Sequence, residues 1–433
     1  MTSKNEVVIF WFRRDLRLTD NRGLHRALSS GYRVLPLFIF DREILLRLEP
    51  DDARVSFICD RVAALHDDIK KAGGDLLTRF ATAERVFTEL PSNYNIKAVY
   101  TNRDYEPYAV KRDAKVEGIL KSNGIDFISH TDQLVFEPGE ILKKDGKPYT
   151  VYTPFSRRWL ELFNSGMVSE EPSGQLLENL YRSDGGTRPP EPHQIGFTRS
   201  ALTVKPFDLG HETISNYAAR RDFPDMEGTT ALGPHLRFGT ISIREVFRLT
   251  EGLSSTFTGE LIWREFFMHI LSHFPHVAGR SFRPEFENIE WINDEENFDR
   301  WCRGVTGYPL VDAGMRELLA TGTMHNRVRM VTAGFLTKHL LCDWQWGEAW
   351  FASKLLDFEL ASNNGNWQWA AGTGCDAAPY FRIFNPTAQQ IRFDPRLEYI
   401  KKWVPEYGTD RYPAPIVDHA MARERALRVY RSL

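Results

Sequence analysis

An α/β amino-terminal domain with a doubly wound parallel sheet, followed by an all-helical carboxy-terminal domain, is the architecture this sequence predicts. Three observations carry it. Short apolar runs alternate with amphipathic stretches from residue 6 to about 133, the composition turns rich in Gly, Ser and Pro from about 160 to 210, and nearly every later stretch has helical period.

Five runs read as strands: VVIFWF, RVLPLFIFD, LLTRF, IKAVYTN and IDFISH. They are short and strand-like, and separated by helical patterns they read as a buried parallel sheet. GLHRALSSG, RVSFICDRVAALHDDIKKAGG, ERVFTEL and VKRDAKVEGILKSNG lie between them with helical patterns, so the runs join as βαβ units. Such units build a doubly wound sheet. This domain is assigned to residues 1–135. Residues 136–209, with SGMVSEEPSGQ and SDGGTRPPEPHQ, are assigned to an interdomain connection. Residues 210–433 are assigned to the helical domain on ISIREVFRLTEGL, GELIWREFFMHILSHF, LVDAGMRELLATG and RVRMVTAGFLTKHLL.

The 433 residues carry 55 basic and 58 acidic side chains, a net charge of −3, with 42% hydrophobic residues. That balance excludes a disordered polyelectrolyte and a histone-like polycation, and leaves room for a local basic stripe. Cys59, Cys302, Cys342 and Cys375 lie far apart without CxxC spacing, which argues against a disulfide framework or metal site and for a reducing compartment. Apolar runs such as Val34–Phe40 are too short to span a bilayer, and Met1–Phe12 leads into Arg13 and Arg14 instead of a cleavage site. A soluble cytoplasmic protein is expected. Nine of the eleven tryptophans lie beyond residue 260, so any indole chemistry belongs to the helical half.

Phosphate-loop, HExxH, GxSxG and EF-hand patterns are all missing from the sequence. Gly372 to Ala377 fits a relaxed GxGxxA fingerprint, but it follows helical sequence where a βαβ unit is required, and reads as a chance match. Glu260, Trp263, Arg264 and Phe267 share one helical face and set an acid, an indole and a guanidinium side by side; an exposed i, i+4 pair of Glu260 with Arg264 is the plain alternative. Asn326, Arg329 and Met330 repeat the pattern. The following run VTAGFLTKHLL carries that helix inward, so a buried Arg329 requires a carboxylate, with Asp357 and Glu359 available. Ala361–Ala371 packs Asn363, Asn364 and Asn366 beside Trp367 and Trp369. Single tryptophans are usually core filler, but buried amides need partners, and a polar heterocycle would supply them.

Together these segments resemble the photolyase and cryptochrome family, and within it the cyclobutane pyrimidine dimer photolyases. The resemblance runs from Phe10–Arg17 (FWFRRDLR) through TTALGPHLRFGTIS at Thr229–Ser242, ELIWREFF, TGYPLVDAGMREL, MHNRVRM and SNNGNWQWAAGTGCDAAPYFRIFNP to near Trp403. It implies a helical domain that binds FAD and an α/β domain that can hold an antenna pigment. Tyr217, Thr229, Thr230, Ala231, Leu232 and Gly233 match the loop around the FAD phosphates, with Gly233 replacing the usual serine. Arg329 and Asp357 match an ion pair beside the flavin, with Phe358 and Glu359 in the same stretch, and Asn363 matches the residue facing flavin N5. Trp263 and Trp369 match indoles that clamp a flipped dimer, Glu260 the acid that hydrogen-bonds it, and Asn326, Met330 and Arg382 other contacts to it. Arg221 and Arg327 match contacts to the DNA strand, and Trp367, Trp344 and Trp291 match the relay that photoreduces oxidised flavin.

The implied function is light-driven repair of pyrimidine dimers in damaged DNA by a monomeric deoxyribodipyrimidine photo-lyase. A signalling cryptochrome is the main rival, but the chain stops about thirty residues after Trp403, and Glu260 and Met330 keep the repair pattern. The (6-4) photolyases carry histidines where this chain has Asn326 and Met330. A light-independent flavin electron carrier would explain the α/β half but not paired indoles beside an acid. Glu106 matches an acid near a folate site, yet residues 41–55 depart from that pattern, so 5,10-methenyltetrahydrofolate, a deazaflavin or no antenna all stay open.

Overall fold

The computed structural model describes residues 6–182 and 188–433; Met1–Asn5 and Ser183–Thr187, the latter inside the expected connection, lie outside the described residues. The chain forms two compact units, and neither is a continuous stretch. The first comprises Met1–Glu140, Leu162–Phe207 and Leu232–Glu251, the second Ile141–Glu161, Asp208–Ala231 and Gly252–Leu433.

In the first unit β1 (Glu6–Phe12), β2 (Arg33–Asp41), β3 (Leu77–Ala81), β4 (Asn95–Asn102) and β5 (Asp126–His130) form one sheet in the order β3-β2-β1-β4-β5. All four pairings are parallel. The helices α1 (Arg22–Leu28), α2 (Ala53–Lys71), α3 (Ala83–Glu89) and α4 (Pro107–Ser122) supply the crossovers. Because side chains alternate along a strand, β1 feeds two cores. Val8, Phe10 and Phe12 pack with Leu24, Val55 and Val62 of α1 and α2, while Val7, Ile9 and Trp11 pack with Val86, Phe87, Val116 and Leu120 of α3 and α4. Helices therefore cover both faces, which is the doubly wound arrangement.

The expected boundaries need correcting. The helix Ile243–Thr250, assigned from its period to the carboxy-terminal domain, belongs to the α/β unit. Its Arg244 is 1% exposed and sets Nε 2.8 Å from Asp20 Oδ1 and Nη2 2.8 Å from Asp132 Oδ1; Arg17 Nη2 lies 2.5 Å from Asp132 Oδ2. Burial pushes the Asp132 carboxyl up, but Arg17 and Arg244 overcome it and hold the group at about 2. Gly239, at φ +62°, lies against Arg14, whose carbonyl oxygen a Cβ would approach to 2.1 Å. Helical period reports that a segment is amphipathic, not which core its apolar stripe joins. Glu106 is paired here with Arg14 at 3.0 Å and Arg237 at 3.3 Å.

Residues 136–209 are likewise no single connection, since the second unit takes Ile141–Glu161 and with it most of α5 (Tyr152–Leu162). That unit continues with α6 (Ser255–His273), α7 (Pro309–Thr321), α8 (Asn326–Gly334), α9 (Trp344–Lys354), α10 (Leu360–Ala371) and α11 (His419–Arg431). Its core gathers Trp301, Met315, Val328, Leu336, Phe351 and Trp367. Where one unbroken helix was expected, α8 gives way to a π turn at Phe335–His339. Lys338 on that turn donates to the Ala371 carbonyl at 2.6 Å and lies 3.5 Å from the centroid of the Tyr430 ring, tying together the turn, the end of α10 and α11. Among the described residues no helix is long and apolar enough to cross a membrane.

Candidate functional site

In the second unit, α8 begins with its cap: His325 accepts the Arg327 N–H on Nδ1, which leaves Nε2 to carry the proton of a neutral ring. Burial, followed by the nearby Arg329, pushes this imidazole down to about 4, so it is neutral at pH 7. One turn on, Arg329 donates Nε to the Met324 carbonyl at 2.7 Å and places Nη2 3.0 Å from Asp357 Oδ2. Of the two carboxylates available to it, Glu359 instead caps α10, accepting from Ala361 and Ser362 N–H at 3.3 and 3.0 Å. The second carboxylate oxygen of Asp357 is buried without a hydrogen-bond partner. Phe358 is half-buried against the core. On α10, Asn363 donates Nδ2 to Glu348 Oε1 at 2.7 Å and to the Glu348 carbonyl at 3.2 Å. Burial pushes the Glu348 carboxyl above its ordinary range.

The face of α6 carrying Glu260 and Trp263 lies near two arginine–carboxylate pairs. Glu260 is paired with Arg221, a partner 39 residues away in sequence. Arg327 Nη2 lies 2.8 Å from Asp222 Oδ1, with the guanidinium 4.4 Å from the Phe393 ring centroid. Met330 Sδ is 3.9 Å from Arg327 Nη1. Trp263 stacks on Tyr152 at 3.6 Å between centroids and 7° between planes. Trp369 is half-buried on α10, and Asn326 and Arg382 are exposed. The Arg221 guanidinium lies 5.4 Å from the Tyr217 ring; burial, then Glu260, pushes that phenol up to about 12.

Thr229 is exposed, while Thr230 is buried and accepts the Asp208 N–H at 2.9 Å. Ala231 adopts φ +51°, uncommon for a side-chain-bearing residue and the kind of local reversal that lets successive N–H groups converge on an anion. Leu232 and Gly233 fall in the first unit, Gly233 opening the helix Gly233–Phe238. Trp367 and Trp344 are buried in the core of the second unit, and Trp291 packs half-buried against it. A Cβ on Gly347 would lie 2.1 Å from Trp367 Cη2, so the helix bearing Trp344 rests directly on Trp367. Gly372 is the left-handed residue that ends α10, which leaves the GxGxxA match after a helix and without its strand.

Tyr152, Asp222, His325 and Glu348 enter this arrangement without having been singled out from sequence. For Tyr152 a signal exists: apolar residues at 152, 155 and 159 have helical spacing inside the stretch assigned to the connection. Asp222 and Glu348 have none, because their partners are distant in sequence.

The residues present fit FAD: a buried carboxylate oxygen awaits a donor such as the flavin imide N–H, a guanidinium sits beside it, and an amide oriented by Glu348 stands on the neighbouring helix. An α/β unit of this topology together with such a helical unit defines a class of two-unit flavoproteins. Residues 8–174 match the family model described as DNA photolyase, and residues 257–409 match the FAD binding domain of DNA photolyase. The chain belongs to the photolyase/cryptochrome family. A deoxyribodipyrimidine photo-lyase of Agrobacterium fabrum is 38% identical over 99% of this chain and 98% of its own length. Among solved structures, a bacterial class III photolyase from Agrobacterium tumefaciens superposes with TM-score 0.87 at 36% identity, covering 100% of this chain and 98% of that one. An archaeal photolyase from Sulfolobus tokodaii, solved with two FAD molecules, gives 0.87 and 36%, covering 99% and 100%.

Proposed function

We propose that this protein is a deoxyribodipyrimidine photo-lyase that repairs cyclobutane pyrimidine dimers in DNA under light. The observation that carries this reading is the occurrence, in one helical unit, of the Arg329–Asp357 pair and Asn363 together with the acid and indoles Glu260, Trp263 and Trp369. Arg329, Asp357 and Asn363 would hold the flavin ring, and Tyr217 with Thr229, Thr230 and Ala231 would hold its phosphates. Phe358, next to Asp357 in sequence, packs against the core of the unit, and Glu359 fixes the start of α10. When bound, reduced FAD would supply light-driven one-electron chemistry for opening the cyclobutane ring, with no net change in its oxidation state.

The chain's own residues position the lesion. Trp263 and Trp369 stack on the extruded bases, which leave the duplex readily because a dimer already pairs poorly. Glu260 accepts or donates a hydrogen bond at the lesion, and Arg221 orients it. Asn326, Met330 and Arg382 complete the contact, and Arg221 and Arg327 meet the phosphates. Trp367, Trp344 and Trp291 form the route for photoreduction. An antenna in the α/β unit, monomeric action on isolated lesions and a cytoplasmic location complete the proposal.

The test is to incubate reduced protein with a thymine-dimer oligonucleotide under blue light and in darkness. Restored thymines only in the light are expected; equal recovery in both, or none, overturns the reading, and the second result would fit a photoreceptor without repair. Glu260→Ala is expected to lower repair per absorbed photon more than FAD content.

A further inference from the structure

α5 lies in the stretch assigned from sequence to a connection, yet it is bound tightly to the helix bearing Glu260 and Trp263. Tyr152, its first residue, is fixed at three points. Its ring lies nearly cofacial with the Trp263 indole, 3.6 Å between centroids and 7° between planes. Its hydroxyl donates to the Gly259 carbonyl at 2.9 Å, one residue before Glu260. Its backbone N–H donates to Asp376 Oδ2 at 2.9 Å, on the segment between Trp369 and Arg382. Further along α5, Trp159 Nε1 donates to the buried Glu265 carboxylate at 2.7 Å and locks the two helices together. Burial, followed by Glu260, pushes the Tyr152 phenol up to about 12, so the hydroxyl keeps its proton and remains a donor.

An indole has two faces, and here one is already covered by a ring held by bonds to two other segments. We infer that Tyr152 is a positioning residue for lesion recognition: it closes one face of Trp263, fixes the indole plane, and leaves only the opposite face for a flipped base. This rests on the role of Trp263 proposed above. A free indole would pay rotational entropy on stacking and could receive a base on either side; a backed indole does neither. The Asp376 contact extends the effect, since the residue that backs Trp263 also anchors the segment leading from Trp369 to Arg382.

The experiment compares Tyr152→Leu, Tyr152→Phe, Trp263→Ala and the double variant Tyr152→Leu/Trp263→Ala as FAD-loaded full-length proteins. Binding to a thymine-dimer oligonucleotide and to its undamaged counterpart is measured in the dark, and repair per absorbed photon at saturating DNA. Tyr152→Leu is expected to weaken dimer binding roughly three- to tenfold, the range of one aromatic stack. Undamaged-DNA binding, photon yield at saturation and FAD content should be unchanged, and Tyr152→Phe should restore dimer binding to within about twofold. In the double variant the leucine should add nothing to the loss from Trp263→Ala. Should Tyr152→Leu fail to retain FAD, Tyr152→Met, which keeps apolar bulk without the plane, takes its place in the same cycle. Dimer affinity equal to the parent in these variants, or effects that simply add, would overturn the inference. Were Trp263→Ala itself without effect on dimer binding, the role of Trp263 would fall first, which separates the two failures.

Discussion

Asn363 Nδ2 lies 2.7 Å from Glu348 Oε1, so a carboxylate on α9 decides which end of the amide on α10 is occupied. The carbonyl end of Asn363 is thereby directed elsewhere. Burial raises the Glu348 carboxyl above its ordinary range, which brings its protonated form, a donor, nearer to neutral pH.

Replacing Glu348 by Leu is expected to leave the Asn363 amide with only the main-chain carbonyl of residue 348 as acceptor, at a cost of about 1 kcal/mol, and to alter the absorption spectrum of the light-reduced protein. Glu348→Gln, which can still accept from the amide, should behave more like the parent. Thermal melts and spectra of both variants check this; a leucine variant matching the parent in both would remove Glu348 from the flavin site.

Trp344→Phe is expected to slow photoreduction of oxidised FAD while leaving repair by chemically reduced protein nearly intact. Packing supports the choice of variant, because α9 rests on Trp367 through Gly347 and phenylalanine fills most of the buried volume at 344. Time courses of flavin bleaching under blue light, with and without added reductant, provide the measurement. Loss of both activities would contradict the relay.

Arg327→Ala should weaken binding to damaged and undamaged DNA alike and lower the slope of log affinity against log salt by about one. Its partner Asp222, 2.8 Å away, would then be left without this counter-charge near the strand and deepen the loss. Titrations across a series of salt concentrations test it; an unchanged slope would mean that Arg327 meets no phosphate.

Acid stability should depend on Asp132. Its folded carboxyl, raised by burial but lowered further by Arg17 and Arg244, sits at about 2, below the ordinary unfolded value. The unfolded chain therefore binds the proton more readily. The contribution, about 2 kcal/mol, is complete above roughly pH 4 and is lost as pH falls toward 2. Asp132→Asn should flatten this part of the profile and lower stability at pH 7 by leaving two guanidiniums under-paired. Denaturant midpoints of both proteins at pH 7, 4 and 3 decide it.

All five strands and their crossovers were legible in sequence: β1, β2 and β4 because central parallel strands are largely apolar, and the more exposed edge strands β3 and β5 because short strand-like runs recur between helical patterns; each coincides with a predicted run to within a residue or two. The need of Arg329 for a carboxylate partner was legible, and the structure selected Asp357, though the guanidinium is half-buried where full burial was expected. The chain's threading was not. Arg244 looks like any arginine on an amphipathic helix until Asp20 and Asp132 are placed beside it, and those lie 224 and 112 residues away. The partners of Glu260 and Asn363 were hidden for the same reason, since a side-chain pair leaves no periodic trace.

The discontinuity of the α/β unit bears on how the molecule is made. A nascent chain that has emerged only to Glu140 holds every strand but not Arg244, and carries Asp20 and Asp132 without that counter-ion. Completion waits until Glu251 clears the ribosome, more than halfway through synthesis. A gene cut after residue 135 would release an unfinished sheet protein, so a self-standing amino-terminal half would need both residues 162–207 and residues 232–251 joined back onto it.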